Sequence, residues 1–197
     1  MSYPPRAFRE TREEVLLKAV AEIGLASLVV IRDGVPEAVS LPMIATRDGE
    51  ALILEGHVAL ANPVWRLAEG GTAALAIFQG PHAYVHPGWY PTKREHGKVV
   101  PTWNYVVVQA HGVLSVTRDP EWLAAHLARL TETREAGRAE PWSMDDAPVD
   151  FIYGLQRGIV GLTLHVARLE GVEDRPASPR AQPARRDRRT GGIGRVW

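Results

Sequence analysis

Arg-Asp-Gly occurs twice, at 32–34 and at 47–49, and each copy ends a run of aliphatic and β-branched residues. Asp-Gly supplies the positive φ angles that a tight hairpin requires, so each copy turns the chain back on itself. Strands are therefore expected over residues 25–31, 37–46 and 51–55. Strands joined this closely pair antiparallel, and that commits the chain to a meandering sheet.

The remaining pattern extends the sheet. Residues 72–78 and 82–86 predict two more strands. Residues 104–117 predict a long one whose even positions, Val106, Val108, Ala110, Leu114 and Val116, form an apolar face. A last strand over 159–169 turns Val160, Leu162, Leu164 and Val166 inward. Thr11-Arg12-Glu13-Glu14 has the form of a capping box for a helix ending at Gly24. Asn62-Pro63 caps a short helix that stops at Gly70-Gly71, and Asp119-Pro120 caps an amphipathic helix carrying Trp122, Leu123, Leu127 and Leu130. Residues 87–98 predict a loop. Five or six antiparallel strands with peripheral helices make a mainly β fold, a small β-barrel.

Composition closes several classes. The 197 residues contain no cysteine, which excludes disulfides, thiolate metal sites and a cysteine nucleophile. The longest apolar run, 25–31, falls far short of the roughly 20 residues of a membrane span, so no membrane partner is expected. The Glu-rich start does not resemble an export signal, and the reading is of a cytoplasmic protein. Basic and acidic residues balance at 23 each, but unevenly along the chain. Residues 173–197 hold seven arginines and three acids, leaving 16 basic and 20 acidic residues in 1–172. The expectation is one domain over 1–172 and an Arg/Pro-rich, disordered tail over 173–197. The tail is either a solvated segment or an arm for nucleic acid, so DNA stays open as a partner.

Chemistry concentrates between Gly80 and Tyr105. Trp89, Tyr90, Trp103 and Tyr105 are interleaved with His82, His86, Lys93, Thr102 and Asn104. Large aromatics in a Pro- and Gly-rich loop suit a pocket for a flat apolar ring, with Lys93 and backbone N–H groups for an anionic tail. A structural metal is not expected: His82 and His86 flank an extended segment and stand roughly 13 Å apart at about 3.3 Å per residue. The helix-turn-helix-like segment 21–27 runs into strand-forming sequence, not a recognition helix.

These blocks resemble a known family. Gly80-Pro81-His82-Ala83-Tyr84-Val85, Pro87-x-Trp89-Tyr90 and Val100-Pro101-Thr102-Trp103-Asn104-Tyr105 match the signature of PaiB-like proteins, described as FMN-binding negative transcriptional regulators. Tyr3-x-Pro5-x-x-Phe8, Leu41-Pro42, Gly56-His57-Val58-Ala59-x-Ala61-Asn62-Pro63-x-Trp65 and Gly158-Ile159-Val160-Gly161 extend the match over roughly residues 1–172. The resemblance implies the split barrel of flavin reductases and pyridoxamine-phosphate oxidases, a homodimer, and FMN bound in clefts between two barrels. Ser40, Leu60, Val64, His86, Gly88 and Gln109 depart from the usual pattern. Leu60 stands where the family commonly has Arg, and the family's C-terminal Ser-Gln-Asn-Arg motif is missing.

Three function classes follow: a ligand-sensing negative transcriptional regulator of the PaiB type, a flavin-dependent oxidoreductase, and a haem-binding relative using His57, His82, His86 or His111. The regulator is placed first, on the resemblance, which makes an enzyme the less favoured reading. The cofactor-binding residues expected are His57, Asn62, Trp89, Tyr90, Lys93, Thr102, Trp103, Asn104 and Tyr105. Asn62-Pro63 would offer helix N–H groups to a phosphate. No catalytic residue is assigned.

Overall fold

A computed structural model describes residues 8–173, so the Tyr3-Pro5 block and the tail lie outside the described residues. In chain order come β1 (Arg9–Glu10), α1 (Glu13–Ile23), β2 (Leu25–Arg32), β3 (Val35–Asp48) and β4 (Ala51–Ala59). A 3₁₀ turn over Pro63–Ala68 leads to β5 (Thr72–Val85), then a second such turn, Pro87–Trp89, and α2 (Thr92–His96). The chain continues through β6 (Thr102–Thr117), α3 (Pro120–Glu135), a 3₁₀ turn at Met144–Asp146, α4 (Val149–Gln156) and β7 (Ile159–Glu173).

The two Asp-Gly signals form two-residue hairpins. Arg32 pairs with Val35 across Asp33 and Gly34, both at positive φ (51° and 81°), the type I′ requirement. Asp48 pairs with Ala51 across Gly49, at φ 60°, and Glu50. All strand pairs are antiparallel, in the order β1-β7-β4-β3-β2-β5-β6, and β6 pairs again with β7. That last pairing closes six strands into a barrel.

Strand alternation fills the interior with Leu28, Val30, Leu54, Phe78, Val108, Leu114, Val160, Leu162 and Leu164, all essentially inaccessible. The even-position face expected of β6 points inward on both sides of its register shift with β7, and that of β7 only as far as the shift. There, His111 opposes Arg168 and Gly112 opposes Val166, so Ala167 is a bulge. Beyond it the phase switches: Leu169 packs against the core, and Gly171 lies against Leu16 of α1.

A second register shift explains a difference from expectation. Residues 72–78 and 82–86 form one strand, β5, broken in register between Gln79 and His82. After this irregularity Val85 is buried while His82 and Tyr84 face outward. β2 pairs with β5 only as far as Phe78, and β7 pairs with β6 only from Val106. Among the described residues, the segments 82–85 and 102–105 therefore pair only with each other, as a ribbon beyond the barrel wall.

The helices differ from expectation in three places. Thr11 forms no capping box: α1 starts after Arg12, and the Glu10 carboxylate accepts the Thr11 and Arg12 N–H groups at 2.9 and 2.8 Å. Local reach decides this, because Glu10 already sits on β1 beside both donors. Loop 87–98 contains a 3₁₀ turn and α2, ended by Gly97 at φ 68°. The sequence pattern also did not announce α4. Asp119 does cap α3, accepting the Glu121 N–H at 3.1 Å.

Gly161 of β7 lies beneath the Trp122 ring, and a Cβ there would meet that ring at 2.3 Å. Gly161→Ala is expected to cost about 1–3 kcal/mol by overpacking. A urea midpoint unchanged from wild type would show that α3 can lift away from β7 freely.

Candidate functional site

With the barrel interior packed, concave surface forms outside its wall, in two places. The larger cleft, about 780 Å³, lies between α1 and the root of the β5–β6 ribbon, lined by Lys18, Ile23, Gln79, His82, Asn104 and Tyr105 among others. On the ribbon Tyr84 opposes Trp103 and His82 opposes Tyr105. The Trp103 ring centroid stands 5.7 Å from that of His82 and 6.0 Å from that of Tyr84, an edge-on pair in the second case. Trp103 is nevertheless 55% exposed and Tyr84 45%.

Beyond the ribbon, the His86 Nδ1 accepts the Gly88 N–H at 3.0 Å, and the His86 ring lies 6.1 Å from Trp89. Lys93 extends its amine over Gly88. Thr102 is exposed, Asn104 partly so, and Tyr90 is half-buried. Trp89, Tyr90, Lys93, Thr102, Trp103, Asn104 and Tyr105 thus gather at one end of the molecule. Exposed ring faces, an amide, a hydroxyl and a cation fit a flat heteroaromatic ring bearing a phosphate.

His57 and Asn62 lie elsewhere. β5 runs from Thr72, beside the Pro63–Ala68 turn, to Val85 in the ribbon, roughly 40 Å of strand at about 3.3 Å per residue. His57 and Asn62 belong to the Thr72 end, so a single chain cannot bring all nine residues into one site. Asn62 acts as a cap: its Oδ1 accepts the Val64 N–H at 3.0 Å. The donor expected to face an anion is therefore already used. Leu60 packs against the core, and its carbonyl accepts the Trp65 indole N–H at 3.0 Å.

His57 faces a network that the sequence reading missed. His57 Nδ1 lies 3.1 Å from Nε2 of His126, a fully buried residue on α3. The Trp122 ring stacks on His126 with centroids 5.1 Å apart and planes inclined by 13°. His126 Nδ1 lies 3.9 Å from Glu55, beyond hydrogen-bond range, while Arg129 donates to the same carboxylate at 2.7 Å. A visible signal was an acid in the apolar run Leu52-Ile53-Leu54-Glu55, since a buried carboxylate needs partners. Beside His57 a cavity of about 490 Å³ opens under α3 and α4.

Burial raises the Glu55 carboxyl, but contact with His126 and Arg129 outweighs it and holds the group below its ordinary value. Burial, and then the neighbouring His126, lower His57. The other haem-ligand candidates are dispersed: His82 on the ribbon, His86 at the turn, and His111 on β6, 3.8 Å from Glu170. No group of three or more metal-binding side chains occurs among the described residues.

The closed antiparallel barrel with a ribbon beyond its wall is a split-barrel domain. Residues 2–168 match the family described as "Putative FMN-binding domain", and the chain belongs to that family. It is 33% identical over 168 residues to Protease synthase and sporulation protein PAI 2 of Bacillus subtilis (strain 168), covering 85% of this chain and 78% of the relative. Its fold is similar to that of the FAD and heme binding protein from Mycobacterium smegmatis, with a TM-score of 0.61 at 17% identity over 85% of this chain and 74% of that one. The flavocytochrome Anf3 from Azotobacter vinelandii gives a TM-score of 0.61 at 13% identity, covering 95% and 89%. No helix among the described residues is long and apolar enough to cross a membrane.

Two predictions follow from the buried network. Arg129→Ala strands the Glu55 carboxylate and is expected to cost about 3 kcal/mol. Glu55→Gln costs less, because the Arg129 it leaves unpaired reaches solvent, and adding it to Arg129→Ala recovers most of the loss. Equal losses in the two single variants, by urea denaturation, would contradict this. Stability should also fall with pH in two stages. Below 6.5, the ordinary value for His57, the unfolded chain takes up a proton that the folded chain resists. Below 4.5 the same holds for Glu55. His57→Gln should shrink the upper stage, to which His111 also contributes, and Glu55→Gln the lower, to which Glu10 also contributes, read from urea midpoints between pH 7.5 and 3.5.

Proposed function

We propose that this protein is an FMN-binding homodimer acting as a negative transcriptional regulator of the PaiB type. FMN sits where the ribbon of one copy meets the barrel of the other. The observation carrying the dimer is the ribbon itself. A two-stranded ribbon is marginal alone, and exposed Tyr84, Trp103 and Tyr105 make an apolar patch that a second copy would cover.

Bound flavin supplies a redox-active ring able to exchange one or two electrons. The chain's part is to hold and shield it. Trp103 offers a ring face, Thr102 and Asn104 meet polar edges, and Lys93 opposes the phosphate. The regulatory role rests on kinship with the Bacillus subtilis relative.

An oxidoreductase is the second reading, favoured by two observations. Residues 1–172 carry 16 basic against 20 acidic side chains, a poor surface for DNA. Ile23 leads through Gly24 into β2, not into a recognition helix.

Purified protein should sediment at twice 21.7 kDa and bind FMN. Lys93→Ala should remain dimeric and bind FMN about one to two decades more weakly, the value of a charge-assisted hydrogen bond. Trp103→Ala should lose both dimer and flavin. A monomer that binds FMN with wild-type affinity would refute the shared site. Gel-shift titration against the protein's own upstream DNA, beside NADH oxidation with added FMN, decides between regulator and enzyme. Turnover without salt-resistant DNA binding would favour the enzyme.

A further inference from the structure

The cavity beneath α3 and α4 is chemically unlike the ribbon cleft. Leu127, Trp142, Met144, Ile152 and Leu155 line most of it, and His57 and Thr131 are its polar side chains. No charged side chain lines it, so a phosphate there would find no counter-charge. Its volume of about 490 Å³ lies within the range of pockets for small organic ligands, roughly 300–1,000 Å³. Trp142 is 45% exposed and Leu155 56%, so a ligand could reach it from solvent.

The polar end has a definite direction. The Glu55 carboxylate, paired with Arg129, lies 3.9 Å from Nδ1 of His126, too far for a hydrogen bond but close enough to favour the tautomer that turns an N–H, not a lone pair, toward it. In that tautomer Nε2 of His126 carries a lone pair, and the His57 Nδ1 that lies 3.1 Å from it is the donor. That leaves His57 Nε2 as the ring nitrogen available to a ligand, with a lone pair and no proton. Trp122, stacked on His126 and seated on Gly161, fixes the plane of the His126 ring, to which the His57 ring stands edge-on at 74°.

We infer that this cavity binds a small, uncharged, largely apolar molecule that donates one hydrogen bond, such as a phenol or an aromatic alcohol, and that His57 Nε2 accepts that bond. The site is separate from the flavin cleft and does not depend on the regulatory reading. It would give the protein a second ligand, recognised by hydroxyl and shape, not by charge.

Three probes of one shape test it by calorimetry on the full chain, with and without saturating FMN: 2-naphthol, 2-methoxynaphthalene and 2-naphthoate. Naphthol should bind once per chain. The methyl ether, which cannot donate, should bind about tenfold more weakly, and the anion weaker still. His57→Phe keeps an aromatic ring but removes the acceptor. It should bring naphthol down to the affinity of the ether while leaving the ether unchanged. Equal affinity for naphthol and its ether in the wild-type protein would overturn the inference without any variant. So would no binding of naphthol at millimolar concentration, unchanged naphthol binding in a folded His57→Phe, or displacement of naphthol by FMN.

Discussion

Closure of the barrel rests on one strand. β7 pairs with β4 over Ile159–His165, with β6 over Gly161–Glu173 and with β1 near its end. Without it β4 and β6 would be open edges, with unpaired backbone groups inviting other chains. A strand serving two walls must bend between them, and the Ala167 bulge lies where the β4 pairing has ended and the β6 pairing continues. The bulge also reverses the side-chain phase, so β7 presents Val160, Leu162 and Leu164 to the barrel and, further on, Gly171 to α1. A side chain at Gly171 would collide with Leu16.

Close packing has a consequence for chemistry. An interior filled by Phe78, Leu114, Leu162 and their neighbours leaves no room for a ligand, so binding moves outside the wall. Outside, the fold offers two kinds of surface. Where β5 and β6 outrun their neighbours, a ribbon exposes aromatic faces with polar groups and cations nearby. Where α3 crosses β4, the helix buries Glu55 and partly covers His57. The first suits a large, charged, flat cofactor, the second a small neutral molecule.

How much of this could be read in the sequence depended on whether the signal was local. The hairpins were legible because Asp33-Gly34 and Gly49 fix backbone angles within two residues. Alternation along β6 and β7 was legible because period two survives in the sequence until a bulge interrupts it. The register shift between Gln79 and His82 was not, because Gly80-Pro81 resembles an ordinary break between strands, and only pairing with β6 makes it one strand. The ribbon residues stood out as aromatics in an unexpected setting. Glu55, His126 and Arg129 come from elements about 70 residues apart in sequence. No spacing rule joins them, and His126 on an amphipathic helix looks like one more partly polar position.

The grouping of His57 and Asn62 with the ribbon residues illustrates the same limit. In sequence, Gly56-His57 and Asn62-Pro63 read as donors near a helix start, suited to a phosphate. In the fold each donor has a prior engagement. Asn62 closes on Val64, and Nδ1 of His57 is engaged with His126. In the tautomer inferred above, His57 has a lone pair left, on a ring whose protonation burial opposes, with the Glu55 carboxylate behind its partner. A dianion approaching that nitrogen would meet repulsion, whereas Lys93 sits exposed beside Gly88 with its charge uncommitted among the ion pairs of the described residues. Charge complementarity therefore favours the ribbon end over His57 for a phosphate, in keeping with the placement proposed above.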